Sequence, residues 1–134
     1  MRYLVSARLK PGQAVPLMKA IEKGYLGAGS VAGGEYLRNM MEARKLSDGT
    51  VFWIEVCFCP TPLQEERPYW EKHFELLHIR NAHNREKCRD FNGSEPWACS
   101  DCACTERLES KITSRGKNFL LELENESDKI ITSK

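Results

Sequence analysis

Residues 50–59, TVFWIEVCFC, form the most β-prone stretch of the chain, and the fold can be read outward from them. β-Branched and aromatic side chains dominate this stretch, which is typical of a strand in a packed sheet. The pair Asp48-Gly49 just before it favours a hairpin turn, so we expect the end of residues 35–46 to be the partner strand. The rest of that segment, EYLRNMMEARKL, also suits an amphipathic helix, and both interpretations stay open.

Toward the N-terminus, the pattern predicts a strand, a short helix and a loop. Residues 2–9 alternate between apolar and polar side chains, as in a half-buried strand, and Pro11-Gly12 ends the pattern. Apolar residues then recur at helical spacing from Val15 to Tyr25. Five glycines within residues 24–34 are too many for a regular element, so we expect a loop there.

Toward the C-terminus, the pattern predicts a second helix and two shorter elements. Trp70, Phe74 and Leu77 form an apolar stripe at helical spacing after Pro68, which predicts a helix reaching roughly Lys87. A short helix is expected over residues 105–114. Residues 118–124 are expected to close the domain as an edge strand or to extend that helix, and residues 125–134 to form a polar tail.

The resulting order, strand-helix-hairpin-helix-strand or βαββαβ, resembles the ferredoxin-like α+β fold, and in particular the dimeric α+β barrel proteins. The resemblance covers residues 1–90 and implies an antiparallel sheet, a homodimer and a small-molecule enzyme as one candidate function. We expect a single domain over residues 1–134, with a core over 1–90, a Cys-rich insertion over 88–104 before the last element, a helix or strand over 105–124, and the tail.

Charge and composition narrow the classes of binding partner and the compartment that we expect for this protein. The chain has 20 Lys and Arg residues against 19 Asp and Glu residues, so its overall field does not favour nucleic acid or an anionic membrane. The start of the chain, MRYLVSARLKPG, carries charges where a signal peptide would be apolar. We therefore expect a cytoplasmic protein, in which clustered cysteines more often bind metal or do redox chemistry than form disulfides.

Six cysteines among 134 residues are the chain's compositional outlier. The spacing C-x-x-C-x-C at Cys99, Cys102 and Cys104, with Cys88 upstream, suits thiolate ligation of a soft cation. These four residues are the predicted metal ligands. The alternates are His83 and the pair Cys57 and Cys59, whose i, i+2 spacing on a strand would point both sulfurs to the same face. A second helix of about 30 Å would hold Cys59 far from Cys88, so the six thiols are not expected to share one site.

The spacing does not decide which metal binds. It departs from the paired C-x-x-C knuckles of structural zinc sites and from the repeats of bacterial ferredoxins. We expect an iron–sulfur cluster in electron transfer or redox sensing, served by a redox partner protein, in preference to a structural zinc site in an interaction module.

Three further interpretations stay open. Cys99 and Cys102 have the C-x-x-C spacing of thiol–disulfide redox proteins. A pocket between the sheet and the Gly-rich loop would suit a small-molecule enzyme. Cys57, in the middle of an apolar strand, could equally be ordinary core filling.

Overall fold

The computed structural model describes residues 2–83 and 103–132 as a mixed α+β protein. Within these residues there are five strands, namely β1 (Arg2–Leu9), β2 (Arg44–Lys45), β3 (Thr50–Val56), β4 (Phe74–His83) and β5 (Lys117–Asn118). The five helices are α1 (Ala14–Glu22), α2 (Glu35–Glu42), α3 (Arg67–Trp70), α4 (Cys104–Ile112) and α5 (Phe119–Thr132).

The strands form one antiparallel sheet in the order β4-β1-β3-β2-β5. The predicted hairpin joins β2 to β3, where the Leu46 N–H donates to the Thr50 carbonyl at 2.8 Å. The Thr50 N–H donates to Asp48 Oδ1 at 2.9 Å, and Gly49 supplies the positive φ of 91° that the turn requires. The Asp-Gly signal was therefore interpreted correctly.

Side chains on the two faces of the sheet pack against different helices. Because neighbouring residues of a strand point to opposite faces, Trp53 packs with α1, α2, α3 and α5, whereas Phe52 and Ile54 pack with α4. The first face carries the larger cluster, in which Trp53, Trp70 and Phe74 are in ring contact. The main core thus lies between the sheet and the four helices of the first face.

The Gly-rich loop, residues 24–34, connects α1 to α2. At Gly27, φ is 72° and a Cβ atom would overlap the buried ring of Tyr36. The Tyr36 hydroxyl donates to Ser30 Oγ at 2.8 Å, and the Ser30 hydroxyl donates to Glu65 Oε2 at 2.7 Å. The loop is therefore held against the core by specific contacts, and Gly27 leaves the space for one of them.

The predicted second helix is wrong over most of its length. Only Arg67–Trp70 is helical, and residues 74–83, expected to continue that helix, form β4 along β1. The positions Trp70 and Phe74 fit a helical stripe, but Phe74 begins a strand whose backbone hydrogen bonds are made with a segment about 70 residues away in sequence. Pairing with β1 outweighs the local spacing.

The described elements follow the order βααββαβαβα, so the exact ferredoxin-like βαββαβ arrangement is not confirmed. At the C-terminal end, residues 104–112 form the expected short helix. The sequence left residues 118–124 open between strand and helix. They lie almost entirely in α5, which continues through Thr132 and so includes most of the segment expected as a polar tail.

Candidate metal centre

Two cysteines follow directly after the end of β3. The strand ends at Val56, and the next residues are Cys57, Phe58 and Cys59. The Cys59 N–H donates to the sulfur of Cys57 at 3.3 Å, which bends the chain around that sulfur. The two thiols are therefore kept close together by a local turn beyond the strand, and not by a shared strand face as the i, i+2 spacing suggested.

A turn then brings a carboxylate back to the two thiols. Leu63 adopts the left-handed conformation with φ 57°, the only positive φ outside glycine in the described part of the chain, and its side chain is fully buried. Such a conformation costs about 1–2 kcal/mol in a non-glycine residue, so burial has to hold it in place. The reversed chain places Glu66 beside Cys57.

The metal-ligating atoms of Cys57, Cys59 and Glu66 lie close enough together to bind one cation. Glu66 Oε2 lies 3.3 Å from the sulfur of Cys57 and 4.0 Å from that of Cys59, and all three ligand atoms lie within 4.8 Å of one another. Cys57 is 2% exposed and Glu66 is 4% exposed, while Cys59 is half-buried. We call these three residues the Cys-Cys-Glu group.

The dimensions of the group suit a tetrahedral cation. Zinc binds thiolate sulfur at about 2.3 Å and carboxylate oxygen at about 2.0–2.2 Å, so ligand atoms sharing one ion are about 3.4–3.8 Å apart. The sulfur–oxygen distances of 3.3 and 4.0 Å bracket that range. Small side-chain adjustments would therefore let the three atoms share one ion, and a fourth coordination position would remain.

Burial controls the protonation of Cys57. It raises the pKa of Cys57 to about 12, so without a cation this residue is a thiol that donates to Glu66. Burial together with the neighbouring Cys57, Cys59 and Glu66 also raises the pKa of Tyr3. Both shifts come first from burial, with the charge of Glu66 acting in the same direction, and a bound cation would favour the thiolate form of Cys57.

A cavity of about 680 Å³ adjoins the group, and all three of its residues line the cavity. Phe58, between the two cysteines, also lines it, and the other walls come from the Gly-rich loop, from α2 and from the first residues of α4, including Val31, Glu35, Arg38, Thr105 and Glu106. A molecule in this cavity could thus contact the Cys-Cys-Glu group.

A second buried carboxyl, that of Glu55, is bonded to two tryptophans of the aromatic core. Glu55 accepts hydrogen bonds from Trp53 Nε1 at 2.8 Å and from Trp70 Nε1 at 2.9 Å. Burial raises the pKa of Glu55 to about 7, and the nearby charge of Glu66 acts in the same direction. The backbone N–H of Trp70 donates to the backbone carbonyl of Glu66 at 3.2 Å, so the residue whose indole binds Glu55 is also joined to the turn that carries Glu66.

Of the predicted metal ligands, the structure brings together the two alternates Cys57 and Cys59. Cys104 is the first residue of α4 and is buried, its sulfur accepts a hydrogen bond from Arg107 Nη2 at 3.2 Å, and it is not part of the Cys-Cys-Glu group. Cys88, Cys99 and Cys102 lie outside the described residues, as does the side chain of His83. The set Cys88, Cys99, Cys102 and Cys104 therefore stays a prediction.

The long second helix on which the expected separation of Cys59 and Cys88 rested is replaced by β4, and Cys88 itself lies outside the described residues. Arg2 pairs with Val56 on one side and with His83 on the other, and its Nε donates to Thr105 Oγ1 at 2.7 Å. His83 and Thr105 therefore both adjoin Arg2, which pairs with the last residue of β3, just before Cys57.

Glu66 was missed by sequence reasoning. No spacing rule links a Cys-x-Cys pair to a glutamate seven residues later, because their proximity depends on the left-handed turn at Leu63. Cys57 also fits the interpretation as core filling, since it belongs to the main buried cluster while its sulfur faces the group.

Comparisons with protein-family models, with curated proteins and with solved structures found no match to this chain. Among the described residues, no helix is long and apolar enough to cross a membrane. Any functional assignment therefore depends on the chemistry of the residues themselves.

Proposed function

We propose that this protein binds a thiophilic divalent cation, preferably zinc, through Cys57, Cys59 and Glu66. The observation that carries the proposal is the convergence of two sulfurs and a carboxylate oxygen within 4.8 Å beside a cavity. Two thiolates and one carboxylate match the borderline-soft preference of zinc. Within the described residues this is the one group of three such side chains at metal-binding spacing.

The donor set also indicates what the cation would do. Structural zinc sites are closed by four protein ligands, whereas catalytic sites combine three protein ligands with an open position. A cation held by the Cys-Cys-Glu group would have its open position on the side of the cavity. There it would act as a Lewis acid toward a bound small molecule. A small-molecule enzyme is therefore the second candidate function, favoured by the cavity of about 680 Å³.

An iron–sulfur cluster in electron transfer or redox sensing is the competing proposal. It is supported by the six cysteines of the chain, and its ligands would be Cys88, Cys99, Cys102 and Cys104. The Cys-Cys-Glu group itself suits zinc better than a cluster, because it offers two thiolates and a carboxylate, whereas protein-bound clusters usually take four thiolates.

The finer fold assignment is a proposal as well. The contiguous strand order β4-β1-β3-β2, antiparallel throughout, supports a variant of the ferredoxin-like fold in which the second helix is reduced to one turn. In this proposal α4, β5 and α5 are additions, and the protein is a cytoplasmic homodimer. Its molar mass in solution, measured by light scattering, tests the dimer.

The test of the metal proposal is the metal content of anaerobically purified protein. We expect about one equivalent of zinc in the wild type, loss of zinc in Cys57→Ser/Cys59→Ser, and retention in Cys104→Ser, the matched control that also replaces a buried cysteine. Brown protein containing acid-labile sulfide would support the cluster instead. Zinc that persists in the double variant would refute the assignment of these ligands.

A further inference from the structure

A second groove, separate from the Cys-Cys-Glu group, lies between α2 and α4 and has a volume of about 600 Å³. The two helices cover opposite faces of the sheet, and the ion pair between Arg38 and Glu109 joins them at 2.8 Å. The charged residues that line the groove are Arg38, Glu42, Glu106 and Glu109. None of the three proposed metal ligands lines the groove.

Glu109 has an unused hydrogen-bond acceptor. The residue is 5% exposed, and its Oε1 accepts a hydrogen bond from Arg38 Nη2. Its Oε2 is buried and has no hydrogen-bond partner among the described residues. A buried carboxylate oxygen without a donor is costly, so this atom marks a place where a donor group can be gained.

The charge balance of the groove favours a cationic donor. Of the residues that the structure describes, three carboxylates line it together with one guanidinium, from Arg38, which is already engaged with Glu109. Burial raises the pKa of Glu109 despite the presence of Arg38, as expected where negative charge is incompletely compensated.

A bare metal ion does not fit this groove. Within the described residues its carboxylates do not converge to metal-binding spacing, because only the Cys-Cys-Glu group does so. The groove instead offers apolar contact, since Leu37 and Met41 lie one turn apart on α2 with 44% and 53% of their surfaces exposed. A ligand that suits both features carries its positive charge on an alkyl chain.

We propose that the groove between α2 and α4 binds an alkyl cation, an ammonium or guanidinium group that donates to Glu109 Oε2 while its chain lies against Leu37 and Met41. The source of the cation is a free alkylamine or the Lys or Arg side chain of a polypeptide. This inference goes beyond the proposed metal site and does not depend on it.

The test is an NMR titration of ¹⁵N-labelled protein with n-butylguanidinium, n-butylammonium and the uncharged n-butanol. The two cations should produce saturable shifts of the amide signals of Leu37, Met41 and Ser110, and n-butanol should bind at least about tenfold more weakly, as the loss of a charge-assisted hydrogen bond implies. Equal binding of n-butanol, or cation shifts spread over the whole surface, would overturn the proposal.

Two variants locate the contact. Glu109→Gln should weaken binding of the cations at least about tenfold, while Glu22→Gln, which removes an exposed carboxylate on α1, should leave it unchanged. Met41→Lys places a cation at an exposed position on the rim and should compete with the probes, which keeps the proposal testable if Glu109→Gln is poorly folded. Binding that is unaffected in Met41→Lys, or in folded Glu109→Gln, would refute it.

A final titration, with a lysine-containing peptide, identifies the source of the cation. The peptide acetyl-Leu-Lys-Leu-amide should bind more tightly than n-butylammonium if the groove takes a side chain of a polypeptide. Equal or weaker binding of the peptide would support a free amine as the ligand.

Discussion

The buried carboxyl of Glu55 makes the stability of the fold depend on pH in a direction opposite to that of most acidic residues. Its folded-state pKa is about 7, against an ordinary value of 4.5. Below pH 4.5 the carboxyl is protonated in both states, so it imposes no penalty. As the pH rises through the folded-state pKa, the unfolded chain has already lost its proton and the native state loses stability. The full penalty above that pKa is about 3 kcal/mol.

Glu55→Gln removes this titration and keeps a carbonyl oxygen that can accept the two indole hydrogen bonds. The free energy of unfolding of the variant relative to wild type should therefore increase by about 3 kcal/mol between about pH 4.5 and about pH 8. Urea unfolding followed by tryptophan fluorescence, in the presence of a chelator, measures both proteins across this range.

The comparison of the two proteins at each pH cancels the titration of all other groups. Glu22→Gln, which removes an exposed carboxylate, is the control and should not follow the same course. A difference between Glu55→Gln and wild type that stays constant within about 1 kcal/mol across the range would refute the account of Glu55 as a carboxyl destabilised by burial.

Two further predictions concern the cation and the Gly-rich loop. Glu66→Gln should weaken zinc binding by more than about tenfold in a competition assay with a chromophoric chelator. The control Glu71→Gln, outside the group, should leave the affinity unchanged. Equal affinities of the two variants would remove Glu66 from the ligand set. Gly27→Ala should lower the free energy of unfolding by about 2–4 kcal/mol, because a strained φ adds to overlap with the Tyr36 ring. Gly12→Ala has a similar φ of 80° but open space around it and should cost about 1–2 kcal/mol, so equal losses in urea unfolding would contradict the packing argument.

The elements that the sequence predicted well are those whose signals are local. The strand beginning at Thr50 and the hairpin at Asp48-Gly49 depend on side-chain type and turn chemistry within ten residues. β4 was missed because Trp70 and Phe74 match a helical spacing by coincidence, while its true partner, β1, lies far away in the sequence. Long-range pairing leaves no local signature when the strand also carries charged and polar residues.

The candidate site was predictable only in part. The i, i+2 spacing of Cys57 and Cys59 made them alternates, but the richer C-x-x-C-x-C spacing directed the main prediction to residues 88–104. Glu66 joins the group through a left-handed turn at Leu63, which is a conformation that leucine rarely adopts and that a sequence pattern does not announce.

X-ray absorption spectroscopy at the zinc edge of the zinc-loaded protein tests the central claim most directly. The account predicts a mixed shell, with two sulfurs at about 2.3 Å and oxygen ligands at about 2.0–2.2 Å, from Cys57, Cys59, Glu66 and one further oxygen donor. A shell of four sulfurs would assign the cation to Cys88, Cys99, Cys102 and Cys104 instead, and a shell without sulfur would contradict thiolate binding altogether.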